Sequence, residues 1–185
     1  RLPSGMLRPF YVNIGGSVDG NPALLNRVGQ DLARLVVAKG FEPELTVGAA
    51  MGSIRLSSYA ANFLGVDSIY LEKSDQSKKA FETGFELKRH RVKKGQKVVI
   101  VEDLIARGTT LTKLVKTLKA AGADILGIFL TINRSGMKEV EGVKIYSLKE
   151  MQPFAISQEV FEARYPYARI AEKPKDMWVE LTNMG

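Results

Sequence analysis

The chain has 185 residues, of which 45% are hydrophobic and 25% charged, and its formal net charge is +7 at pH 7. A chain of this length buries roughly 70% of its extended surface, which predicts a single globular domain over residues 1–185. It has no cysteine and one histidine, His90, which excludes thiol catalysis, thiolate zinc sites and multi-histidine metal sites. The longest apolar runs are strand-sized, so we expect no membrane contact and a reduced, cytoplasmic compartment.

The positive charge is concentrated in one segment. Between Lys73 and Lys97 there are nine basic and three acidic residues, whereas the other 160 residues hold 18 basic and 17 acidic ones. A protein that lies along DNA usually spreads its basic residues over a helix or a broad face. The charge therefore predicts a compact anionic partner and no nucleic acid.

The first elements are marked by caps and turns. Asn21 as an N-cap, followed by Pro22, predicts a helix that ends at Gly40. The next strand, turn and helix are predicted over 44–47, 48–52 and 54–64, the last closed by Gly65.

The middle of the chain combines a short strand with the basic segment. A strand is predicted over 67–71, a mobile loop over 72–84 and a ribbon strand over 85–91, so that 72–97 forms a mobile basic loop and ribbon. After it, 97–102 contains an unbroken β-branched run, as expected of a central parallel strand covered on both faces.

The remaining elements complete an alternating pattern. A helix opening after a glycine-containing loop at 106–108 ends at Gly122, and further strands are predicted over 125–132 and 143–146. Ser147 and Glu150 fit a capping box for a short helix, and another helix is expected over 158–164. The alternation predicts an α/β fold, a doubly wound, mostly parallel twisted sheet. Residues 150–185 form a C-terminal extension that covers the sheet or a partner subunit.

Chemically, the most informative stretch is 98–110. Glu102 and Asp103 stand at the end of the buried strand, where open α/β sheets bind ligands. Backbone N–H groups of 106–110 at a helix N-terminus, with the hydroxyls of Thr109 and Thr110, can hold a phosphate dianion, and Gly108 permits close approach. The two acids can accept hydrogen bonds from a ribose diol or hold Mg²⁺ through water. The pattern points to a phosphorylated ribose.

These thirteen residues resemble the signature for 5-phosphoribosyl-1-pyrophosphate (PRPP) in type I phosphoribosyltransferases. Leu2-Pro3-Ser4-Gly5, leading into an aromatic stretch, is similar to the N-terminal hood of orotate phosphoribosyltransferases, which places a hood over residues 1–20. The resemblance covers roughly residues 2–148. It implies the type I phosphoribosyltransferase fold, with a small N-terminal hood and a C-terminal extension.

The resemblance also implies roles for individual residues. It assigns PRPP binding to Met51, Gly52, Ser53, Lys73, Glu102, Asp103, Ala106, Arg107, Gly108, Thr109 and Thr110. It makes Tyr11 the aromatic beside the base and Arg134 the partner of an acidic base substituent. Asp103, Lys73 and a loop lysine, Lys78 or Lys79, would serve catalysis, and Glu102 and Asp103 would hold Mg²⁺ through water.

The sequence departs from the family pattern at several positions. Pro3 stands where the hood has a lysine, the pyrophosphate turn is Met51-Gly52-Ser53 rather than aromatic-Lys-Gly, and the phosphate loop begins Ala106-Arg107. The expected activity is Mg²⁺-dependent transfer of phosphoribose from PRPP to a nucleobase, orotate first, in a homodimer. The departures keep two alternatives open, a purine-base transferase and a non-catalytic PRPP-sensing protein.

Overall fold

The computed structural model describes residues 6, 7, 14, 18, 20–74, 84–151 and 156–167. The chain divides into two compact units, one comprising residues 14–152 and the other residues 1–13 with 153–185. None of the described helices has the length and apolar character needed to cross a bilayer.

The larger unit alternates strands and helices. Its helices are α1 (Pro22–Ala38), α2 (Ile54–Leu64) and α3 (Thr109–Ala120). Its strands are β1 (Leu45–Ala49), β2 (Asp67–Lys73), β3 (Phe85–Glu86), β4 (Lys97–Ile105), β5 (Asp124–Asn133), β6 (Glu139–Val140) and β7 (Val143–Glu150).

The strands form one seven-stranded sheet in the order β3-β2-β1-β4-β5-β7-β6. The five central strands are parallel, and the two short edge strands, β3 and β6, pair antiparallel. The chain moves from β1 to β2 on one side and then returns to place β4 on the other side of β1. The point of reversal, between β1 and β4, is where open α/β sheets form a ligand crevice beyond the strand ends.

Helices cover both faces of the sheet, as the doubly wound prediction requires. Alternate side chains of a strand point to opposite faces. Leu45 and Val47 of β1 belong to the core cluster that contains Leu114 and Leu118 of α3. On the other face, the hydroxyl of Thr46 donates to the carbonyl of Ser57 in α2, and α2 in turn packs against α1. The predicted α/β class is therefore confirmed.

The predicted helix ends are confirmed as well. The Asn21 side chain accepts a hydrogen bond from the backbone N–H of Leu24, with Pro22 at the start of α1. Gly65 closes α2 in the left-handed region at φ 69°, which favours glycine. The helix over 158–164 is present as α4 (Gln158–Arg164), which belongs to the smaller unit.

The predicted short helix at Ser147 and Glu150 is wrong. Both residues lie in β7, where Ser147 pairs with Leu130 and Glu150 with Asn133 of β5. The hydroxyl of Ser147 does donate to the Glu150 carboxylate, at 2.8 Å, but it does so within a strand. Ladder hydrogen bonds to a neighbouring strand outweigh a local capping pattern, which carries only about 1 kcal/mol.

Strand lengths also differ from the sequence expectation. β4 continues past Glu102 to Ile105, so both acids stand within the strand rather than after it. The ribbon expected over 85–91 pairs only at Phe85 and Glu86. In the smaller unit, Leu7 forms an antiparallel bridge with Ile156, and both pack with Phe161 of α4.

Substitution of Gly48 in β1 tests how tightly the start of α2 packs on the sheet. A Cβ at Gly48 would lie 2.7 Å from the carbonyl oxygen of Ser53 and 3.1 Å from the Cβ of Ser57. We expect Gly48→Ala to lower the free energy of unfolding by about 1–3 kcal/mol, because rigid backbone must move. Urea denaturation measures the change.

Gly142→Ala is the control for this prediction. Its added Cβ meets nothing within 4 Å, so its φ of 76° brings backbone strain alone, about 1 kcal/mol. A Gly48→Ala protein as stable as the unaltered chain would show that the start of α2 can move to accept the Cβ without loss of unfolding free energy.

Candidate active site

A cavity of about 540 Å³ opens at the carboxyl ends of β1, β2 and β4. It lies at the point where the strand order reverses. Its lining comprises Ala49, Ala50, Met51, Gly52, Ser53, Lys73, Phe85, Glu102, Asp103, Leu104, Ile105, Ala106, Arg107, Gly108, Thr109, Thr110 and Leu111. Every residue that the sequence assigned to PRPP binding is in this set.

The turn between β1 and α2, residues 50–53, forms one wall of the cavity. The Ala50–Met51 peptide is cis, and the Met51 side chain is 83% exposed. Ser53, by contrast, is 1% exposed, and its hydroxyl donates a short hydrogen bond to the carboxylate of Glu102. The turn is thereby fastened to β4.

Glu102 is the buried acid of the pair. One of its oxygens accepts the backbone N–H of Ala49 at 3.1 Å and the other accepts the Ser53 hydroxyl. Burial raises the pKa of Glu102 to about 8, and the charge of Asp103 raises it further, while the hydrogen bonds from Ser53 and Ala49 oppose the shift. Both oxygens of Glu102 therefore hold the fold together.

Asp103 differs from its neighbour because it is only partly buried. Its carboxylate accepts the backbone N–H of Leu104 and lies close to the opposite wall, since a Cβ placed at Gly52 would be 3.6 Å from its Oδ2. Of the two acids, Asp103 is thus the better placed for a ligand hydroxyl or a hydrated cation.

The third wall is the loop 106–108 with the first turn of α3. Gly108 is the N-cap residue at φ 78°, and no side chain among the described residues caps this helix. The hydroxyl-bearing Thr109 and Thr110 are exposed there, and no acid occupies the first turn. Free N–H groups and the positive end of the helix dipole suit a phosphate group.

The basic segment is only partly at the cavity. Lys73, exposed at the end of β2, lines it, as does Arg107 from the opposite side. Lys88 forms ion pairs with Glu86 at 3.0 Å and Glu72 at 3.9 Å, and Arg89 pairs with Glu72 at 3.3 Å. Among the described residues of the segment, Lys73 is the cation that faces the cavity.

The acids of the cavity fit a magnesium site in which the protein supplies few of the ligands. No group of three or more carboxylates or histidines suited to a metal occurs in the described part of the chain. Because both oxygens of Glu102 are bonded by Ala49 and Ser53, the partly buried Asp103 is the better placed of the two acids for a metal or its waters. Mg²⁺ commonly binds through one or two carboxylates plus substrate phosphates and water. The site therefore fits an ion that is held mainly by a bound diphosphate.

Some predicted residues lie away from the cavity or cannot be placed. Arg134 is 8% exposed, its backbone N–H donates to the carbonyl of Ile105, and it is not part of the described lining. Tyr11, Lys78 and Lys79 lie outside the described residues. Their roles stay predictions.

Six residues of the described lining were not assigned to the site by sequence reasoning, namely Ala49, Ala50, Phe85, Leu104, Ile105 and Leu111. Phe85 lines the cavity and is 4% exposed, paired in register with Lys73. An apolar residue directly after a glycine in a charged stretch was the available signal. Ala49 was also missed, since a backbone N–H bond to Glu102 has no signature in the sequence.

His90 is not part of the described lining of this cavity. Its ring stands edge-on to Tyr70, with centroids 4.7 Å apart, and its Nε2 is buried without a described hydrogen-bond partner.

The bond between Ser53 and Glu102 generates a stability prediction. Ser53→Ala leaves one buried oxygen of Glu102 without its donor, which costs about 1–3 kcal/mol of unfolding free energy. Ser58→Ala is the control, because Ser58 is exposed on the same helix and its hydroxyl bonds only the Ile54 carbonyl. Chemical denaturation of both variants measures their free energies of unfolding. Equal values would contradict a stabilising bond between Ser53 and Glu102.

Comparison with known proteins identifies the family to which the chain belongs. Residues 16–168 match the family described as the phosphoribosyl transferase domain. An orotate phosphoribosyltransferase from Bartonella tribocorum is 34% identical over 130 residues, which is 70% of this chain and 64% of that protein. One from Caulobacter vibrioides is 30% identical over 151 residues, which is 82% of this chain and 74% of that protein.

Solved structures agree on the fold. The adenine phosphoribosyltransferase of Thermoanaerobacter pseudethanolicus superposes with a TM-score of 0.62 at 24% identity, covering 72% of this chain and 84% of that one. The chain spans just under two thirds of the length of the Bartonella relative. Given the matched domain, the curated relatives and the shared fold, the chain belongs to the phosphoribosyltransferase family.

Proposed function

We propose that the protein transfers the 5-phosphoribosyl group of PRPP to a nucleobase, most readily orotate, and releases pyrophosphate. The observation that carries the proposal is the single cavity that joins a phosphate-type helix N-terminus, a partly buried aspartate and a cation. These three groups match the three parts of PRPP, namely the 5-phosphate, the ribose hydroxyls and the pyrophosphate.

In this proposal, each wall binds one part of the substrate. The N–H groups and hydroxyls of 106–110 hold the 5-phosphate, Asp103 accepts from the ribose hydroxyls, and the turn 50–53 with Lys73 faces the pyrophosphate. Glu102 holds the turn 50–53 against β4 and does not itself contact the substrate. Magnesium, held by the pyrophosphate with help from Asp103, would neutralise leaving-group charge.

The chemistry is a displacement at the anomeric carbon. A base nitrogen forms a bond to that carbon as the bond to the pyrophosphate oxygen breaks, and the pyrophosphate leaves with the electron pair. Little proton transfer is required, so positioning, exclusion of water and stabilisation of the departing charge supply the rate. Lys73 is the described cation best placed for the last of these.

Orotate is favoured as the base by the relatives named orotate phosphoribosyltransferase. A purine base is the second candidate, supported by the departures at Pro3 and Ala106. The homodimer and the cytoplasmic location suggested by the sequence remain predictions, and sedimentation velocity measures the first directly.

A panel of nucleobases tests the proposal. We expect pyrophosphate release from PRPP with orotate and Mg²⁺, and a sharp loss when the metal is chelated. Adenine, hypoxanthine and uracil serve as comparison bases. Turnover with a purine alone would reject orotate as substrate, and no turnover with any base would reject an enzyme.

Lys73→Ala tests the leaving-group contact. Removing a cation that stabilises departing charge lowers kcat by roughly a hundredfold, or about 3 kcal/mol. Lys97→Ala is the matched control, because Lys97 is an exposed lysine at the opposite end of β4. Steady-state kinetics with varied PRPP should separate the two variants, and similar kcat values would remove Lys73 from catalysis.

A PRPP-sensing protein without catalysis is the alternative of another class. Changing Lys73, Lys78 and Lys79 together to alanine distinguishes it, because turnover should vanish in an enzyme, whereas a sensor should still function. Calorimetric titration with PRPP reads binding independently of turnover.

A further inference from the structure

We infer that Asn133 is a positioning residue for the phosphate-binding wall of the cavity, acting through the loop between β5 and β6, residues 134–138. Asn133 does not line the cavity in the described structure, and neither the family match nor the resemblance gives it a role. The inference rests on the proposed function for the role of 106–110 as a phosphate site.

The first observation is that the side chain of Asn133 has its hydrogen-bonding capacity fully used. It is 1% exposed. Its Nδ2 donates to the carbonyl of Met137 at 2.9 Å and to Oε1 of Glu150 at 3.2 Å. Its Oδ1 accepts the backbone N–H of Ser135 at 3.1 Å and the Ser135 hydroxyl at 2.8 Å. A buried amide with every group satisfied fixes the conformation around it.

The second observation is that these bonds fold the β5–β6 loop back on itself. The hydroxyl of Ser135 accepts the backbone N–H of Met137 at 3.0 Å, so the amide and the hydroxyl together fix the backbone from Asn133 to Met137. Asn133 also ends β5, where its own carbonyl accepts the backbone N–H of Met151. The loop is thus attached to the sheet at its base.

The third observation is that the folded loop contacts the phosphate-binding wall at two points. The backbone N–H of Arg134 donates to the carbonyl of Ile105 at 2.9 Å, immediately before the loop 106–108. The sulfur of Met137 lies against Gly108, so close that a Cβ there would be 2.9 Å away. Gly108 is the N-cap residue whose conformation aims the first N–H groups of α3.

Together these contacts make a continuous physical link. The Asn133 amide fixes Met137, Met137 packs on Gly108, and Gly108 sets the direction of the N–H groups offered to an anion. The same amide also bonds Ser135, the residue after Arg134, so the geometry ties the phosphate wall and that arginine, the predicted base partner, to one side chain. A small displacement of such a wall lowers affinity without removing any ligand contact.

Asn133→Asp is the main test. It replaces both donors by an oxygen and places a like charge beside Glu150, so the bonds to Met137 and Glu150 are lost. We expect the substitution to speed hydrogen exchange at 112–115, the first hydrogen-bonded amides of α3, more than in the strands of the sheet, and to weaken binding of ribose 5-phosphate roughly tenfold. In turnover, KM for PRPP should rise more than kcat falls.

Two further variants keep the test decisive if Asn133→Asp folds poorly. Adding Glu150→Gln gives residue 133 a donor partner again and should restore part of the exchange protection. Met137→Ala keeps the backbone carbonyl that Asn133 bonds, removes the side chain that packs on Gly108 and on the core cluster, and should raise exchange at 112–115 in the same way. Ser147→Ala is the control, because it removes a 2.8 Å bond to the same Glu150 oxygen without touching the β5–β6 loop.

The outcomes separate this inference from the proposed function. Exchange that is unchanged at 112–115, or raised equally across the sheet, would overturn the positioning role. Exchange that rises locally while the unaltered protein fails to bind ribose 5-phosphate would support the positioning role and reject the phosphate site. A local rise together with weakened ribose 5-phosphate binding would support both.

Discussion

The buried carboxyl group of Glu102 is the contact on which the geometry of the cavity depends. It sits in the central strand β4 and binds the end of β1 through Ala49 and the start of α2 through Ser53. A buried oxygen of this group left without its donor would cost about 1–3 kcal/mol, so the hydrogen bonds hold the turn 50–53 against β4. The close approach at Gly48 reinforces the arrangement from the other face of β1. One side chain therefore joins the two walls of the cavity.

Much of the fold was predictable from the sequence because its signals are local. The N-cap at Asn21, the left-handed glycine at Gly65 and the β-branched run of β4 each predict an element that the structure contains. The wrong prediction of a helix at Ser147 and Glu150 also follows from reading a local signal. A capping pattern is local, whereas the strand that contains it is set by pairing with β5, which the sequence does not display.

The site was predictable to a similar extent and for a similar reason. Residues that act through contiguous motifs, such as 51–53 and 102–110, were assigned together and are found around one cavity. Contributions that act through space were not predicted. The difference between Glu102 and Asp103 arises from burial, and the support of Gly108 by Met137 joins segments that are distant in sequence. The charge of the basic segment shows the same limit, since two of its described cations, Lys88 and Arg89, form ion pairs with Glu72 and Glu86.

The exposed thioether of Met51 gives the cavity a chemical reporter. Met51 stands at the rim, 83% exposed, on the turn that faces the proposed pyrophosphate. Exposed methionine is oxidised to a polar sulfoxide, and the product is heavier by one oxygen atom. A ligand that covers the turn slows that reaction, so the rate of mass gain at this side chain reads occupancy of the cavity without any added label. The same exposure means that protein stored under oxidising conditions acquires a polar, chiral group at the rim of the cavity.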